Sequence, residues 1–119
     1  MKMYGIKNCD TVKKACKRLE DNGVEFEFHD YKKQPPTEEL LRQWCENIGI
    51  DLLINKRGTT YKKLSEEQKQ SVNNEGSAIK IMIENPSIIK RPILFTGNKY
   101  IVGFNEEDYK ELTNNRILA

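Results

Sequence analysis

The chain of 119 residues is long enough for one domain with a modest core. Charged residues make up 32% of it, no apolar run approaches the ~20 residues of a membrane span, and the N-terminal MKMYGIKNC lacks the apolar stretch of a secretion signal. We therefore expect a cytoplasmic protein with no membrane contact. The net charge of +2 gives no reason to expect direct binding to nucleic acid.

The first thirty residues predict a β-α-β unit. Residues 1–6 can start a sheet, and residues 11–22 carry apolar side chains at helical spacing before the stop signal Gly23. The segment VEFEFHDY then alternates between apolar and polar residues, as a half-buried strand does. Two strands joined by a helix are expected to pair in parallel with a right-handed crossover.

The middle of the chain predicts a helical stretch, and the end predicts a hairpin followed by a helix. One helix is expected at residues 38–48, a short one opened by a capping box at residues 65–68, and another at residues 77–84. A basic loop around Gly58 is expected between the first two. The hairpin is expected at residues 93–96 and 99–102, across a Gly97-Asn98 turn, and Asn105 can cap a last helix through Glu111.

This order of elements predicts the fold class. A β-α-β unit, a helical stretch and a β-β-α unit form an α/β protein with a four-stranded mixed sheet. That is the pattern of a thioredoxin-like fold with an inserted helical segment, here at roughly residues 37–85. We expect the whole chain, residues 1–119, to be a single domain.

Cys9 is the candidate catalytic residue. It falls in the turn between the first strand and the first helix, where Asp10 or Thr11 is expected to cap the helix. A thiol at a helix N-terminus faces free backbone N–H groups and the positive end of the helix dipole, and both favour the nucleophilic thiolate. Asn8, Asp10 and Thr11 would form this helix N-terminus around the sulfur. The alternative is a cysteine that only fills the turn.

The other two cysteines are predicted to be packed. Cys16 lies on the apolar stripe of the first helix, about 10 Å along it from Cys9 at 1.5 Å per residue, and Cys45 lies on the apolar face of the second. Val12 occupies the position at which a thioredoxin-type resolving cysteine would stand. The two-cysteine redox motif is therefore absent from this chain.

Two arginines are candidate substrate-binding residues, and the single histidine is not a candidate. Arg57 lies in the basic loop, and Arg91 precedes Pro92, which by analogy with thioredoxin-like folds is expected to be cis and to face the reactive cysteine. A guanidinium group suits carboxylates and oxyanions, although both arginines could be ordinary surface residues. His29 is expected to be exposed on a strand, and no ligand spacing indicates a metal site.

Three stretches resemble the arsenate reductase (ArsC)/Spx family. They are YGIKNCDTVKKA, KRGTTYKKL and ENPSIIKRPIL followed by GNKYIVGF. They cover nearly the whole chain in the family's order, and the resemblance is greatest to the YffB-like branch. The resemblance implies a thioredoxin-like fold with an inserted helical segment.

The resemblance also implies several activities. In ArsC-type arsenate reductases a cysteine matching Cys9 attacks arsenate, glutathione and glutaredoxin complete the reduction, and three arginines bind the oxyanion. Arg91 matches one of these, Arg57 is displaced from the second, and the final strand YIVGF lacks the third. Spx-type regulators bind the RNA polymerase alpha subunit and sense oxidation through a CxxC pair, of which only the first cysteine is present here. The YffB branch, which keeps one cysteine and both arginines, implies a glutathione-dependent thiol reductase.

The leading hypothesis is thus a single-cysteine, glutathione-dependent thiol oxidoreductase. Cys9 would be the nucleophile, and Arg57 and Arg91 would hold an anionic group. No bound cofactor is expected, and an external thiol, glutathione or glutaredoxin, would resolve the mixed disulfide. The alternatives are an Spx-like regulator that binds the RNA polymerase alpha subunit and, ranked below the first because of the missing arginine, an arsenate reductase.

Overall fold

The structure, a computed structural model, describes the backbone of residues 1–118 and the side chains of residues 1–113. The chain divides into two compact units. The first comprises Met1–Asp30 and the chain from Arg91 onward, and the second comprises Tyr31–Lys90. The single-domain organisation expected from the sequence stays a prediction.

The first unit contains the four-stranded mixed sheet that the sequence predicts. Its order is β2-β1-β3-β4, in which β1 pairs with β2 in parallel and the other neighbouring pairs are antiparallel. The strands are β1 (Lys2–Gly5), β2 (Glu27–Asp30), β3 (Ile93–Phe95) and β4 (Tyr100–Val102). The predicted parallel crossover and the predicted C-terminal hairpin are both confirmed.

One face of this sheet packs into a core with two helices, α1 (Asp10–Asp21) and α7 (Glu106–Leu118). The register places Met3 opposite both Phe28 and Leu94, so their side chains share that face. Helical spacing brings the apolar stripe of α1 onto the same core. The buried residues of the core are Met3, Val12, Ala15, Leu19, Val24, Leu94, Ile101 and Tyr109.

The ends of these elements follow local sequence signals. Helix α1 stops before Gly23, whose positive φ of 70° turns the chain so that the N–H of Val24 donates to the carbonyl of Leu19 at 2.9 Å. In the hairpin, Gly97 takes a φ of 111°. At the start of α7, the Asn105 side chain accepts hydrogen bonds from the N–H groups of Glu107 and Asp108. The stop at Gly23 and the cap at Asn105 are confirmed.

The second unit is mainly helical. Its helices are α2 (Glu38–Asn47), α3 (Ile50–Leu53), α4 (Thr59–Lys62), α5 (Glu66–Ser71) and α6 (Glu75–Glu84), followed by a 3₁₀ turn at Pro86–Ile88. The predicted capping box is present, because Ser65 and Gln68 each accept the other's backbone N–H. Among residues 1–118, no helix combines the length and the apolar character needed to cross a bilayer.

Several predicted boundaries were wrong. Helix α4 lies inside the segment predicted as a basic loop, and α3 was not predicted, because helices of four residues are too short to show a helical period. Helix α6 begins two residues early, since Asn74 caps it by accepting from the N–H of Ser77. Strand β2 begins at Glu27, although the alternation starts at Val24.

Candidate functional site

Cys9 lies at the junction of β1 and α1 and is itself the N-cap residue of α1. Its backbone is extended, with φ −100° and ψ 125°, and its carbonyl accepts the first helical hydrogen bond, 2.9 Å from the nitrogen of Lys13. Its own N–H donates to the carbonyl of Ile6 at 3.3 Å, which holds the turn. The sulfur therefore stands at the end of the helix where backbone N–H groups have no helical acceptor.

The expected cap was wrong by one residue. Asp10 and Thr11 are the first two residues of α1, so neither is the cap. Asn8 is exposed in the preceding turn, and Asp10 places its carboxylate in the first turn of the helix, where negative charge is favourable. What Thr11 contributes near the sulfur is its backbone N–H. Asp10 and Thr11 thus open α1, and Asn8 lies in the turn before Cys9.

Arg91 lies beside Cys9. It directly precedes Pro92, the Arg91–Pro92 peptide bond is cis, and the Pro92 carbonyl accepts a 2.8 Å hydrogen bond from the N–H of Gly103. From this position the Arg91 side chain lies close enough to the Cys9 sulfur for its N–H donors and its positive charge to stabilise the thiolate. The chain thus brings together two of the residues singled out from the sequence.

The surroundings of Cys9 favour its thiolate. Burial raises the pKa of this thiol, but the backbone N–H of Val12, the Arg91 side chain and the backbone N–H of Thr11 lie close enough to stabilise the thiolate, and the charge of Arg91 adds to their effect. The net pKa is lowered from the ordinary value of 9.0. The neutral thiol makes no side-chain cap bond to the helix. The donors therefore act mainly on the ionised sulfur, which is the stronger acceptor.

Cys16 and Cys45 have the opposite character. Both are half-buried, which corrects the expectation of fully packed side chains, and Cys16 touches the core with its sulfur 3.5 Å from that of Met3. Burial raises the pKa of both thiols, and the nearby carboxylates of Glu20 for Cys16 and Glu75 for Cys45 raise it further. Cys9 is therefore the thiol whose environment favours nucleophilic attack.

Arg57 belongs to the second unit. It is exposed in the turn that precedes α4, where its backbone N–H donates to the side-chain oxygen of Asn55 at 3.2 Å. The N–H of Gly58 donates to the backbone carbonyl of the same Asn55, also at 3.2 Å. Asn55 thus shapes the turn that carries the Arg57 side chain.

Val12 is the residue that sequence reasoning missed at this site. Its side chain is apolar, and its contribution to Cys9 is a backbone N–H, which every residue except proline carries. No side-chain signal could therefore have identified it. The only available signal was its position, three residues after a cysteine at the start of a helix.

His29 is less exposed than the sequence indicates. Its ring stacks on that of Tyr4 with centroids 5.0 Å apart, and its Nε2 atom is buried, 3.5 Å from a carboxylate oxygen of Glu27. The expectation of an exposed strand histidine was therefore wrong, because the ring lies flat along its neighbour on β1. Within residues 1–113, no cluster of three or more His, Cys, Asp and Glu side chains could hold a metal ion.

The mixed sheet and the cysteine at the start of α1 define an α/β protein with a thioredoxin-like fold. The sequence profile of the ArsC family matches residues 4–112. The chain therefore belongs to the ArsC family.

Relatives of this chain include a protein related to arsenate reductase and a transcriptional regulator. The solved structure of a YffB protein is 44% identical, superposes with a TM-score of 0.87, and covers 92% of this chain and 96% of its own. A protein from Brucella melitensis related to arsenate reductase is 42% identical, with a TM-score of 0.74 and coverage of 92% and 91%. The global transcriptional regulator Spx of Streptococcus agalactiae is 29% identical over 106 residues, which are 87% of this chain and 75% of the regulator.

Proposed function

We propose that this protein is a single-cysteine, glutathione-dependent thiol oxidoreductase in which Cys9 is the catalytic nucleophile. The observation that carries the proposal is the position of Cys9 at the N-cap of α1 with the Arg91 side chain beside it, an arrangement that lowers the pKa of this thiol. Such an arrangement keeps a thiol ionised at a pH where an ordinary cysteine is protonated, and the thiolate is the reactive form.

The first step would be attack of the Cys9 thiolate on a disulfide that contains glutathione. A bond forms between the Cys9 sulfur and the glutathione sulfur, the substrate disulfide bond breaks, and the other sulfur leaves as a thiolate that takes a proton from water. The substrate sulfur is thereby reduced to a thiol, and Cys9 is oxidised to a mixed disulfide with glutathione.

The second step would need a thiol from outside the protein. Val12 stands three residues after Cys9, so the helix offers no partner cysteine there. A second glutathione, or glutaredoxin, would attack the mixed disulfide, form a new disulfide with the bound glutathione and release the Cys9 thiolate. Glutathione is then a co-substrate, and the reaction calls for no bound cofactor.

The two arginines would have different tasks. Arg91 lies beside the Cys9 sulfur, so it would stabilise the thiolate both before attack and as the leaving group of the second step. Arg57 is exposed on its turn, and its fork of N–H donors would bind a carboxylate of glutathione or an oxyanion of the substrate.

Turnover of a glutathionylated peptide or protein with excess glutathione tests this proposal. We expect release of the free substrate thiol and formation of glutathione disulfide with the wild-type protein and neither with Cys9→Ser, while the matched variants Cys16→Ser and Cys45→Ser keep most of the rate. Activity that survives Cys9→Ser, or depends instead on Cys16, would contradict the proposal.

A regulatory function is the second candidate, and similarity to the regulator Spx favours it. On this hypothesis the protein would bind the RNA polymerase alpha subunit. A binding assay with the C-terminal domain of that subunit distinguishes the two functions, because binding that survives Cys9→Ser would favour a regulator. Arsenate reduction stays below both, because the final strand YIVGF lacks the third arginine that the family's arsenate reductases use.

A further inference from the structure

Gly5 lies at the end of β1, four residues before Cys9, in close contact with the first turn of α1. A Cβ atom placed on Gly5 would lie 2.9 Å from Cγ2 of Val12 and 3.4 Å from its Cγ1. The shorter distance is well inside van der Waals contact, so a side chain at position 5 would force one of the two segments to move. Val12 cannot simply turn away, because a β-branched residue in a helix has one strongly preferred χ1 rotamer.

The need for glycine here is a need for space rather than for an unusual backbone. The glycines with positive φ are at other positions, Gly23, Gly49, Gly97 and Gly103. Gly5 is a paired strand residue, opposite Asp30 in the parallel ladder, and it is buried. A glycine inside a strand commonly marks a place where another segment approaches the backbone closely, and that segment here is α1.

The segment that approaches Gly5 also carries the donors at Cys9. The Val12 side chain is only 2% exposed and fills the space beside Gly5, while the backbone N–H of the same residue lies at the start of α1 near the Cys9 sulfur and favours its thiolate. Thr11, whose N–H also faces the sulfur, precedes it in the same turn. Any movement that relieves a clash at Gly5 therefore moves these N–H groups.

We propose that Gly5 is a positioning residue for the nucleophile. By lacking a Cβ, it lets the first turn of α1 sit against the end of β1, and this contact fixes the N–H groups of Thr11 and Val12 at the Cys9 sulfur. The inference rests on the proposed function, in that it takes Cys9 as the reactive thiol. It adds that Gly5 and Val12 act as a pair, because the branched side chain at position 12 leaves no room for a side chain at position 5.

The test is the pH dependence of Cys9 alkylation, followed by mass spectrometry of the intact, folded protein with iodoacetamide as the probe. Gly5→Ala is expected to move the half-maximal rate to higher pH. The rate on the acidic side of the profile should fall roughly three- to tenfold, the size expected when a hydrogen bond to a charged group is weakened. Gly76→Ala is the matched control, because a Cβ at this exposed helical position meets nothing closer than 3.5 Å.

A double variant separates positioning from general damage. In Gly5→Ala/Val12→Ala the clashing Cγ atoms are gone while the N–H of position 12 remains, so the alkylation profile should return toward that of Val12→Ala alone. The proposal would be overturned if folded Gly5→Ala showed an unshifted alkylation profile. It would also be overturned if the profile of the double variant were no closer to that of wild type than the profile of Gly5→Ala is. If Gly5→Ala does not fold, a folded double variant supports the contact, and a double variant that also fails while Val12→Ala folds overturns it.

This readout is independent of the proposed enzymatic function. Alkylation reports on the ionisation of the Cys9 sulfur and needs neither glutathione nor a disulfide substrate. If the wild-type protein shows no glutathione-dependent turnover but Gly5→Ala still shifts the profile, then the proposed function fails and the positioning role of Gly5 stands. If instead the wild-type protein turns over the glutathionylated substrate and Gly5→Ala shows an unshifted profile, the proposed function stands and Gly5 has no positioning role.

Discussion

The side chain of Arg91 lies beside the sulfur of Cys9, although the two residues are far apart in the chain. The sheet brings them together, because β1, which leads into Cys9, pairs with β3, which Arg91 precedes. The pKa of Cys9 is thus lowered both by its own helix, through Thr11 and Val12, and by the segment before β3.

Replacing Arg91 should make Cys9 a weaker nucleophile. Arg91→Met removes both the N–H donors and the positive charge, so the pKa of Cys9 is expected to rise and its alkylation rate at acidic pH to fall roughly tenfold. Arg91→Lys keeps the charge and should have a smaller effect. Alkylation rates measured from about pH 5 to about pH 10, in steps of about one pH unit, check this prediction. Identical profiles for wild type and Arg91→Met would contradict a role of Arg91 in stabilising the thiolate.

Folding stability should depend on pH through Cys9. Its pKa is lowered in the folded protein, so between that pKa and the ordinary value of 9.0 the unfolded chain binds more protons than the folded one. The free energy of unfolding should therefore rise with pH through this window, and the gain should be lost as the pH falls through the folded pKa.

Urea denaturation of wild type and Cys9→Ser at several pH values measures this contribution. The difference between the two proteins should grow toward pH 9. Cys16→Ser provides the contrasting case, because burial raises the pKa of that thiol and its contribution should instead be lost as the pH rises above the ordinary value. Parallel curves for wild type and Cys9→Ser would show that the donors do not stabilise the thiolate.

Arg57 should affect substrate binding without affecting the sulfur. Arg57→Gln is expected to raise the KM for a glutathionylated substrate about tenfold, as loss of one charged hydrogen bond does. The alkylation profile of Cys9 should stay unchanged, since the groups that lower this pKa are Val12, Arg91 and Thr11. Steady-state kinetics with Arg57→Lys as the conservative variant make the test. An unaltered KM in Arg57→Gln would remove Arg57 from the binding site.

The capping box of α5 should contribute measurably to stability. Ser65→Ala removes the acceptor for the N–H of Gln68 and is expected to lower the free energy of unfolding by about 1 kcal/mol. Ser65→Asp keeps an acceptor at the same position and should recover most of the loss. Thermal denaturation of the three proteins is sufficient, and equal stability of Ser65→Ala and wild type would show that the cap contributes nothing.

The sequence predicts α1 well, places the end of α7 at Glu111 rather than Leu118, and misses the shortest helices. Helix α1 was found within one residue at each end because its apolar stripe and Gly23 act in the same direction. Helices α3 and α4 were missed because four residues carry no readable period. The parallel pairing and the hairpin followed from general rules of connection.

Some residues of the candidate site could be predicted from the sequence, and others could not. The lowered pKa of Cys9 could be predicted because it depends on a position at a helix start, which the sequence marks. Arg91 could be placed near it only by analogy with the fold. The roles of Val12 and Gly5 could not be predicted from the sequence, because Val12 acts through a backbone N–H and Gly5 through the absence of a side chain. Both roles depend on contacts in space that only the folded structure shows.

The most direct test of the central claim is a comparison of the three cysteines in one protein. Folded wild-type protein is treated with a limiting amount of iodoacetamide at several pH values below 9.0, and the label is then located by peptide mass mapping. We predict that Cys9 is labelled first at every pH, with Cys16 and Cys45 following only as the pH rises or the protein unfolds. Faster labelling of Cys16 or Cys45 than of Cys9 in the folded protein would contradict the assignment of Cys9 as the nucleophile.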